Sequence, residues 1–308
     1  MIEKSIEETS NVGRKSNFYD SKYLAEYYDL WTHANLEAVE LGSEAEIYLS
    51  ALKEGLQSHE TGFFLALDVG TGTGRVLINL ANDSVKCGLD VSNTELIGVD
   101  KEQAMIDRAT DVQRNTSSFS KFAHVSWSTG EATNLSLLPL LSSRQGQVDL
   151  LIFAVGSISH LKEANEPQEF FEQVAKLLRP GSGRAYIPIQ SDLICQNSVS
   201  EFKLNKDTWA EVRVAQTFES QLYGGVVYKQ YPIHSATVDG YLKHDKYHFE
   251  VVRKDENGKE EVIENNEIEI SLRIWEKPQL LEWAGQAGLG CVKTFQSSHE
   301  DYFIFEKV

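Results

Sequence analysis

Residues 65–80 read LALDVGTGTGRVLINL, and this stretch decides the fold. Leu65 to Val69 is a short run of strand length, apolar except for Asp68. Gly70, Gly72 and Gly74 follow at alternate positions, and Arg75 opens a segment with a helical apolar face. Glycines at that spacing let the backbone turn tightly and let a ligand approach with no Cβ in the way. The helix behind the turn offers unpaired N–H groups and the positive end of its dipole. Two ligand classes use such a turn. A dinucleotide-binding domain wants G-x-G-x-x-G, with the third glycine for helix–strand packing. Here that slot is Arg75, which is expected to crowd a pyrophosphate. Asp68, two residues before the first glycine, suits a cationic ligand better than a phosphate, because a buried carboxylate offsets positive charge nearby.

Working outward, strand and helix patterns alternate. Thr94 to Val99 (TELIGV) reads as a second strand ending in Asp100, and KEQAMIDRATDVQR as the helix after it. Phe122 to Ser128 reads as a third strand, followed by Gly130-Glu131-Ala132-Thr133. VDLLIF (148–153) is the continuous apolar run of a strand covered on both faces. EPQEFFEQVAKLL then reads as an amphipathic helix stopped by RPGSG, and RAYIPI as a returning strand. Such regular alternation predicts an α/β fold with a doubly wound, mainly parallel sheet. Upstream, residues 17–56 read as two helices, with Tyr19, Tyr23, Tyr27, Tyr28 and Trp31 as an aromatic face. Beyond about residue 190 come alternating β stretches, two of them joined by DENGKE with its Asn-Gly turn signal. They predict an antiparallel insert. KPQLLEWAGQAGLG is a helix with a glycine end, and CVKTFQ and DYFIFEKV are closing strands. The expected organisation is a polar, disordered tail over 1–15, helices and nucleoside-binding core over 16–190, the insert over 191–275, and a C-terminal helix and strands over 276–308.

Composition limits the function. The 308 residues carry 29 basic and 46 acidic side chains, a net charge of −17. No dense basic patch interrupts the acidity, which argues against a nucleic-acid substrate and for a small or cationic one. No apolar run is long enough to span a bilayer, so no membrane partner is expected. The polar N-terminus lacks an apolar signal segment. Cys87, Cys195 and Cys291 are scattered and odd in number, which fits a reducing, cytoplasmic setting and no metal site.

Position assigns candidate roles. Asp100, at the end of the second strand, can accept hydrogen bonds from both ribose hydroxyls, or cap the helix that follows. Met105 can pack on adenine or fill the core. His160, after the fourth strand at the ligand-binding edge of the sheet, is the candidate general base, expected to titrate near neutrality. Tyr28, within AEYYDL, is expected to cover the ligand and orient an acceptor.

D-x-G-x-G-x-G resembles motif I of the class I S-adenosylmethionine (SAM)-dependent methyltransferases. From about Tyr23 to the C-terminus the chain is similar to the small-molecule N-methyltransferases, the group of the aminosugar N,N-dimethyltransferases and glycine-type N-methyltransferases. The anchors are AEYYDL, LDVGTGTGR, GVD, GE, GSISHL, LLRPGSG, the HSATVDG–YHFEVV–ISLRIW pattern and LLEWAGQAGLG. The resemblance implies a seven-stranded Rossmann-like sheet, SAM as methyl donor and S-adenosylhomocysteine as product. It implies cofactor contacts from Tyr28, Asp68, Gly70, Thr71, Gly72, Gly74, Asp100, Lys101, Met105 and Ala154, and adenine contacts from Glu131 and Ala132. His160 and Tyr28 are the expected catalytic pair. The insert is expected to serve as a lid and as the surface of a homodimer. The chain departs from the aminosugar enzymes at Ser157-Ile158-Ser159-His160, where they commonly read SIGH or SIGY, and at QSDLICQNS, which replaces a tryptophan-rich opening. The expected reaction is methyl transfer to a small-molecule acceptor, with an amine nitrogen as first choice. An O-methyltransferase and a catalytically inactive SAM-binding partner subunit are the alternatives.

Overall fold

The computed structural model describes residues 21–36, 42–58, 62–204, 215–297 and 299–308. The tail expected over 1–15 and Tyr19 lie outside these residues. In chain order the helices are α1 (Leu24–Leu36), α2 (Gly42–Ser58), α3 (Arg75–Lys86), α4 (Gln103–Asn115), α5 (Glu166–Leu177) and α6 (Lys277–Gln286). The strands are β1 (Phe64–Val69), β2 (Thr94–Asp100), β3 (His124–Thr129), β4 (Leu150–Ile152), β5 (Arg184–Gln190), β6 (Ile194–Cys195) and β7 (Gln216–Glu219). They continue with β8 (Val226–Asp239), β9 (Leu242–Lys254), β10 (Glu260–Arg273), β11 (Trp275–Glu276), β12 (Leu289–Ser297) and β13 (Glu300–Lys307).

Seven strands form one sheet in the order β12-β13-β5-β4-β1-β2-β3. The five from β1 to β5 run parallel, and the closing β12–β13 hairpin joins β5 antiparallel. This is the α/β sheet expected from the alternating pattern, with seven strands and a mainly parallel order. Its order reverses between β1 and β4. Ligands sit at such a switch point, outside the carboxyl ends of the strands. The third strand begins two residues later than expected, because Phe122 closes a 3-10 turn and is buried there.

Both faces of the sheet are covered, which is why β1 and β4 read as apolar runs. On one face Phe170, Phe171 and Val174 of α5 and Leu280 of α6 pack on Leu65, Leu67, Leu151 and Phe305. On the other, Tyr48 and Leu52 of α2 and Leu77 and Leu80 of α3 pack on Phe64, Ala66 and Ile152. Each fully buried Leu or Phe contributes about 2 kcal/mol of transfer free energy.

Four strands form a separate antiparallel sheet in the order β10-β9-β8-β7. Along β9 the residues Asp245, Tyr247, Phe249 and Val251 are buried in alternation, so they share the inner face. Tyr23, just before α1, and Leu24 and Tyr27 of α1 pack on that face with Tyr228, Phe249 and Ile268. Glu26 pins α1 to it: its carboxylate accepts the Ser220 and Tyr228 hydroxyls and the N–H groups of Gln221 and Leu222. Burial pushes this carboxyl up, but those bonds outweigh it and hold the group below the ordinary glutamate range. The aromatic face expected at the N-terminus is therefore mostly packing, and Tyr27, Tyr28 and Trp31 of it also border the cleft between the two sheets. Among the described residues no helix is long and apolar enough to cross a membrane.

Candidate active site

The glycine turn leaves β1 with Gly70, Gly72 and Gly74 at φ +63°, +56° and +87°. These are left-handed conformations that other residues adopt only under strain. Space is as restrictive as φ. A Cβ on Gly70 would come within 3.0 Å of the Phe153 ring, one on Gly72 within 3.3 Å of Tyr28, and one on Gly74 within 2.7 Å of Trp127. Close packing at the start of α3 is thus the task of Gly74. Arg75 does not crowd the turn, contrary to expectation. Its guanidinium is drawn to Glu44 on α2, at 2.8 Å, in a largely buried ion pair. The case against a pyrophosphate therefore rests on Asp68.

Asp68 is 1% exposed. Its Oδ2 accepts the Thr71 hydroxyl at 2.6 Å, and Thr71 N–H donates to the Val99 carbonyl. Its Oδ1 is sealed from solvent and has no hydrogen-bond partner. Burial pushes the carboxyl up to about 7, against the opposing pull of Thr71 and Arg75. An orphaned carboxylate oxygen behind a bare turn is a costly arrangement unless a ligand donor or positive charge completes it. Asp100 is clasped to the same turn: Oδ2 accepts Gly72 N–H at 2.8 Å and Oδ1 accepts Glu102 N–H at 2.9 Å. Burial raises its carboxyl above the ordinary range. Asp100 gives α4 no side-chain cap within the helix; Glu102 occupies that position.

Above the turn lies a cavity of about 1180 Å³. Nine of the residues expected at the site line it: Tyr28, Gly70, Gly72, Asp100, Lys101, Met105, Glu131, Ala132 and His160. Asp68, Thr71, Gly74 and Ala154 do not. Asp68 and Thr71 brace the turn from behind, Gly74 lies beneath Trp127, and Ala154 is buried against the α2–α3 side of the sheet. The cavity also takes in Trp31, Phe153, Val155 and Gln190, and Gln230, Asp245, Tyr247 and Ile268 of the antiparallel sheet. None of these was assigned to the site from sequence. Val155 sits at φ +53°. A β-branched residue there stores about 1–3 kcal/mol, as sharp turns at functional sites do.

His160 ends a 3-10 turn, Ser157–His160, that follows β4. The turn is held from the far side of the insert. Trp275 Nε1 donates to Ser159 Oγ at 3.0 Å. The buried Arg273 guanidinium donates to the carbonyls of Leu161, Lys162 and Glu163 at 2.7, 3.0 and 2.8 Å. Solvent reaches the His160 ring through the cleft, yet the surrounding protein, with Lys101 and Lys162 beside it, pushes its pKa down to about 4. This corrects the expectation of titration near neutrality: the imidazole is neutral at pH 7 and a weak base. Burial pushes the Tyr28 hydroxyl up to about 12, so it stays protonated. The cavity wall carries Asp100, Glu102, Glu131, Glu166, Asp245, Glu267 and Glu269 against Lys101, Lys162 and Lys246, and no arginine.

A family model described as "Methyltransferase domain" matches residues 67–183. The N-methyltransferase FrzE of Cladobotryum sp is 30% identical over 288 residues, which cover 92% of this chain and 93% of that protein. The chain belongs to the methyltransferase family. Solved structures share its fold. DesVI of Streptomyces venezuelae superposes with a TM-score of 0.61 at 15% identity, over 92% of this chain and 98% of that one. A S-adenosylmethionine-dependent methyltransferase from Clostridium acetobutylicum ATCC 824 superposes with a TM-score of 0.60 at 13% identity, over 91% and 98%. The matched methyltransferase domain runs from β1 to the turn before β5. Helix α1 and the antiparallel sheet, which supply the outer walls of the cavity, lie outside it.

Proposed function

We propose that this methyltransferase transfers the methyl group of SAM to the nitrogen of a small amine. The observation that carries the reading is the unpartnered Asp68 oxygen behind a turn too tight for any side chain. It fits a positively charged nucleoside and does not fit a phosphate. Gly70 and Gly72 would hold the charged end of SAM, with Asp68 acting on its charge from behind the turn. Asp100 would hold its ribose, and Met105, Glu131 and Ala132 its base, with Tyr28 closing over the turn. SAM supplies an activated methyl on a sulfonium. The protein's own residues then have to align the acceptor and exclude water. Tyr28, packed across Gly72, and Phe153, packed against Gly70, wall off that point.

His160 bears on how the acceptor is held. Its imidazole, pushed down to about 4, is a weak base and leaves removal of the acceptor's proton to solvent. An amine that has shed its proton brings its own lone pair and needs only a hydrogen-bond acceptor to orient its N–H. The neutral His160 ring is placed to act as one. The 30% identity to a protein named as an N-methyltransferase supports the same reading. A homodimer through the insert and a cytoplasmic site of action belong to it as well. The test is incubation of the purified chain with SAM and a mixed panel of small amines, phenols and carboxylates, followed by mass spectrometry. A gain of one or two methyl groups on amines alone is expected. Methylation confined to phenols or carboxylates would overturn the choice of nitrogen.

A further inference from the structure

From the antiparallel sheet we infer that Asp245 is the acceptor-recognition residue, and that the acceptor is an ammonium on an apolar body with no nucleotide attached. This inference rests on the methyl-transfer reading above and names its substrate class. Asp245 lies on the inner face of β9, two residues before Tyr247, and lines the cavity. It is 7% exposed. Lys243 Nζ meets its Oδ2 at 2.8 Å, while Oδ1 has no hydrogen-bond partner. A buried carboxylate with one oxygen unanswered is expensive to keep, and an incoming N–H donor removes that cost.

The surroundings select the rest of the ligand. Across the strands Asp245 faces Ile270 on β10 and Ala236 on β8, and Tyr247 faces Ile268 and Ile233. Trp31 of α1 completes an apolar wall. A pyrophosphate-linked acceptor would need cations to meet its charge, usually arginine forks. The described wall offers no arginine and more than twice as many carboxylates as lysines. An amine binds there as its ammonium, sheds one proton to solvent through the cleft to free its lone pair, and regains a positive charge as the nitrogen–methyl bond forms and the methyl–sulfur bond breaks to leave a neutral thioether. A carboxylate beside that nitrogen therefore favours the transition state as well as the bound substrate.

Calorimetry on the full chain saturated with S-adenosylhomocysteine tests this, with phenethylammonium, 2-phenylethanol and uridine diphosphate as probes. The expected result is phenethylammonium bound at least tenfold tighter than the alcohol, and no binding of the diphosphate at millimolar concentration. Asp245→Asn should erase the preference for the ammonium and leave S-adenosylhomocysteine affinity within twofold, which also reports that the variant is folded. Lys243→Met, which frees the second carboxylate oxygen, should tighten phenethylammonium at least threefold and decides the matter if Asp245→Asn does not fold. The inference is overturned if the alcohol or the diphosphate binds as well as the ammonium, if phenethylammonium does not bind, or if both variants leave its affinity unchanged. Failure of wild-type protein to bind S-adenosylhomocysteine at all would instead sink the methyl-transfer reading.

Discussion

Below neutral pH the buried Asp68 carboxyl holds its proton, and a cationic ligand favours its release. With its carboxyl pushed up to about 7, the unliganded protein holds that proton through much of the range where the unfolded chain has lost it. The group therefore favours the folded, ligand-free state at low pH, and that contribution is lost as pH rises through about 7. A cationic ligand prefers the ionised form and lowers this pKa. SAM binding at pH 6 should release a proton, and affinity should rise by up to about tenfold per pH unit below 7. Titration calorimetry in buffers of different ionisation enthalpy reads the proton directly; proton uptake, or none, would contradict the assignment. His160 makes a separate prediction. His160→Leu should lower kcat for a methylated amine by about tenfold or more, with SAM affinity within twofold, since a hydrogen-bond acceptor typically contributes on the order of 1–2 kcal/mol. Full turnover by the variant would remove the residue from the mechanism. The location of His160 was legible from its place after an apolar strand. Its protonation state was not, because it depends on how the fold surrounds the ring and brings Lys101, just after β2, beside it.

At the scale of elements, the β1–turn–α3 unit was readable because everything it needs is local: an apolar run, three spaced glycines and a helical stripe. What each glycine does was less readable. The packing against Trp127 falls to Gly74, and Arg75 serves the α2 ion pair. Gly72→Ala forces a side chain into φ +56° against Tyr28. It should cost about 1–2 kcal/mol in urea unfolding and weaken SAM binding. An unchanged unfolding midpoint would mean the turn is looser than described. Arg273, at the end of β10, had no sequence signal, since its three carbonyl partners lie more than a hundred residues away. Arg273→Met leaves those carbonyls to other donors and should cost about 2–4 kcal/mol. Because the same bonds seat the loop after His160, turnover should fall with SAM affinity largely kept. Equal losses in turnover and SAM affinity would place the defect elsewhere.

Across the whole molecule, the sheet with its nucleoside side and the antiparallel sheet with its acceptor side differ in how they are encoded. The first follows a pattern of strands, turns and helices read in order along the chain. The second depends on register across β8, β9 and β10 and on how α1 docks through Glu26, so Asp245 and Tyr247 reach the cavity through pairings that no short motif reveals. This division places the recognisable methyl-donor machinery within the matched domain and acceptor choice outside it. The central claim is that the turn and its orphaned carboxylate hold a sulfonium nucleoside. Calorimetric titration of the wild-type chain and of Asp68→Asn with SAM, S-adenosylhomocysteine and NADH tests it most directly. The wild type should bind SAM and S-adenosylhomocysteine and ignore NADH, and Asp68→Asn should weaken SAM by roughly ten- to a hundredfold. Binding of NADH in place of SAM, or a variant that binds SAM as well as the wild type, would contradict it.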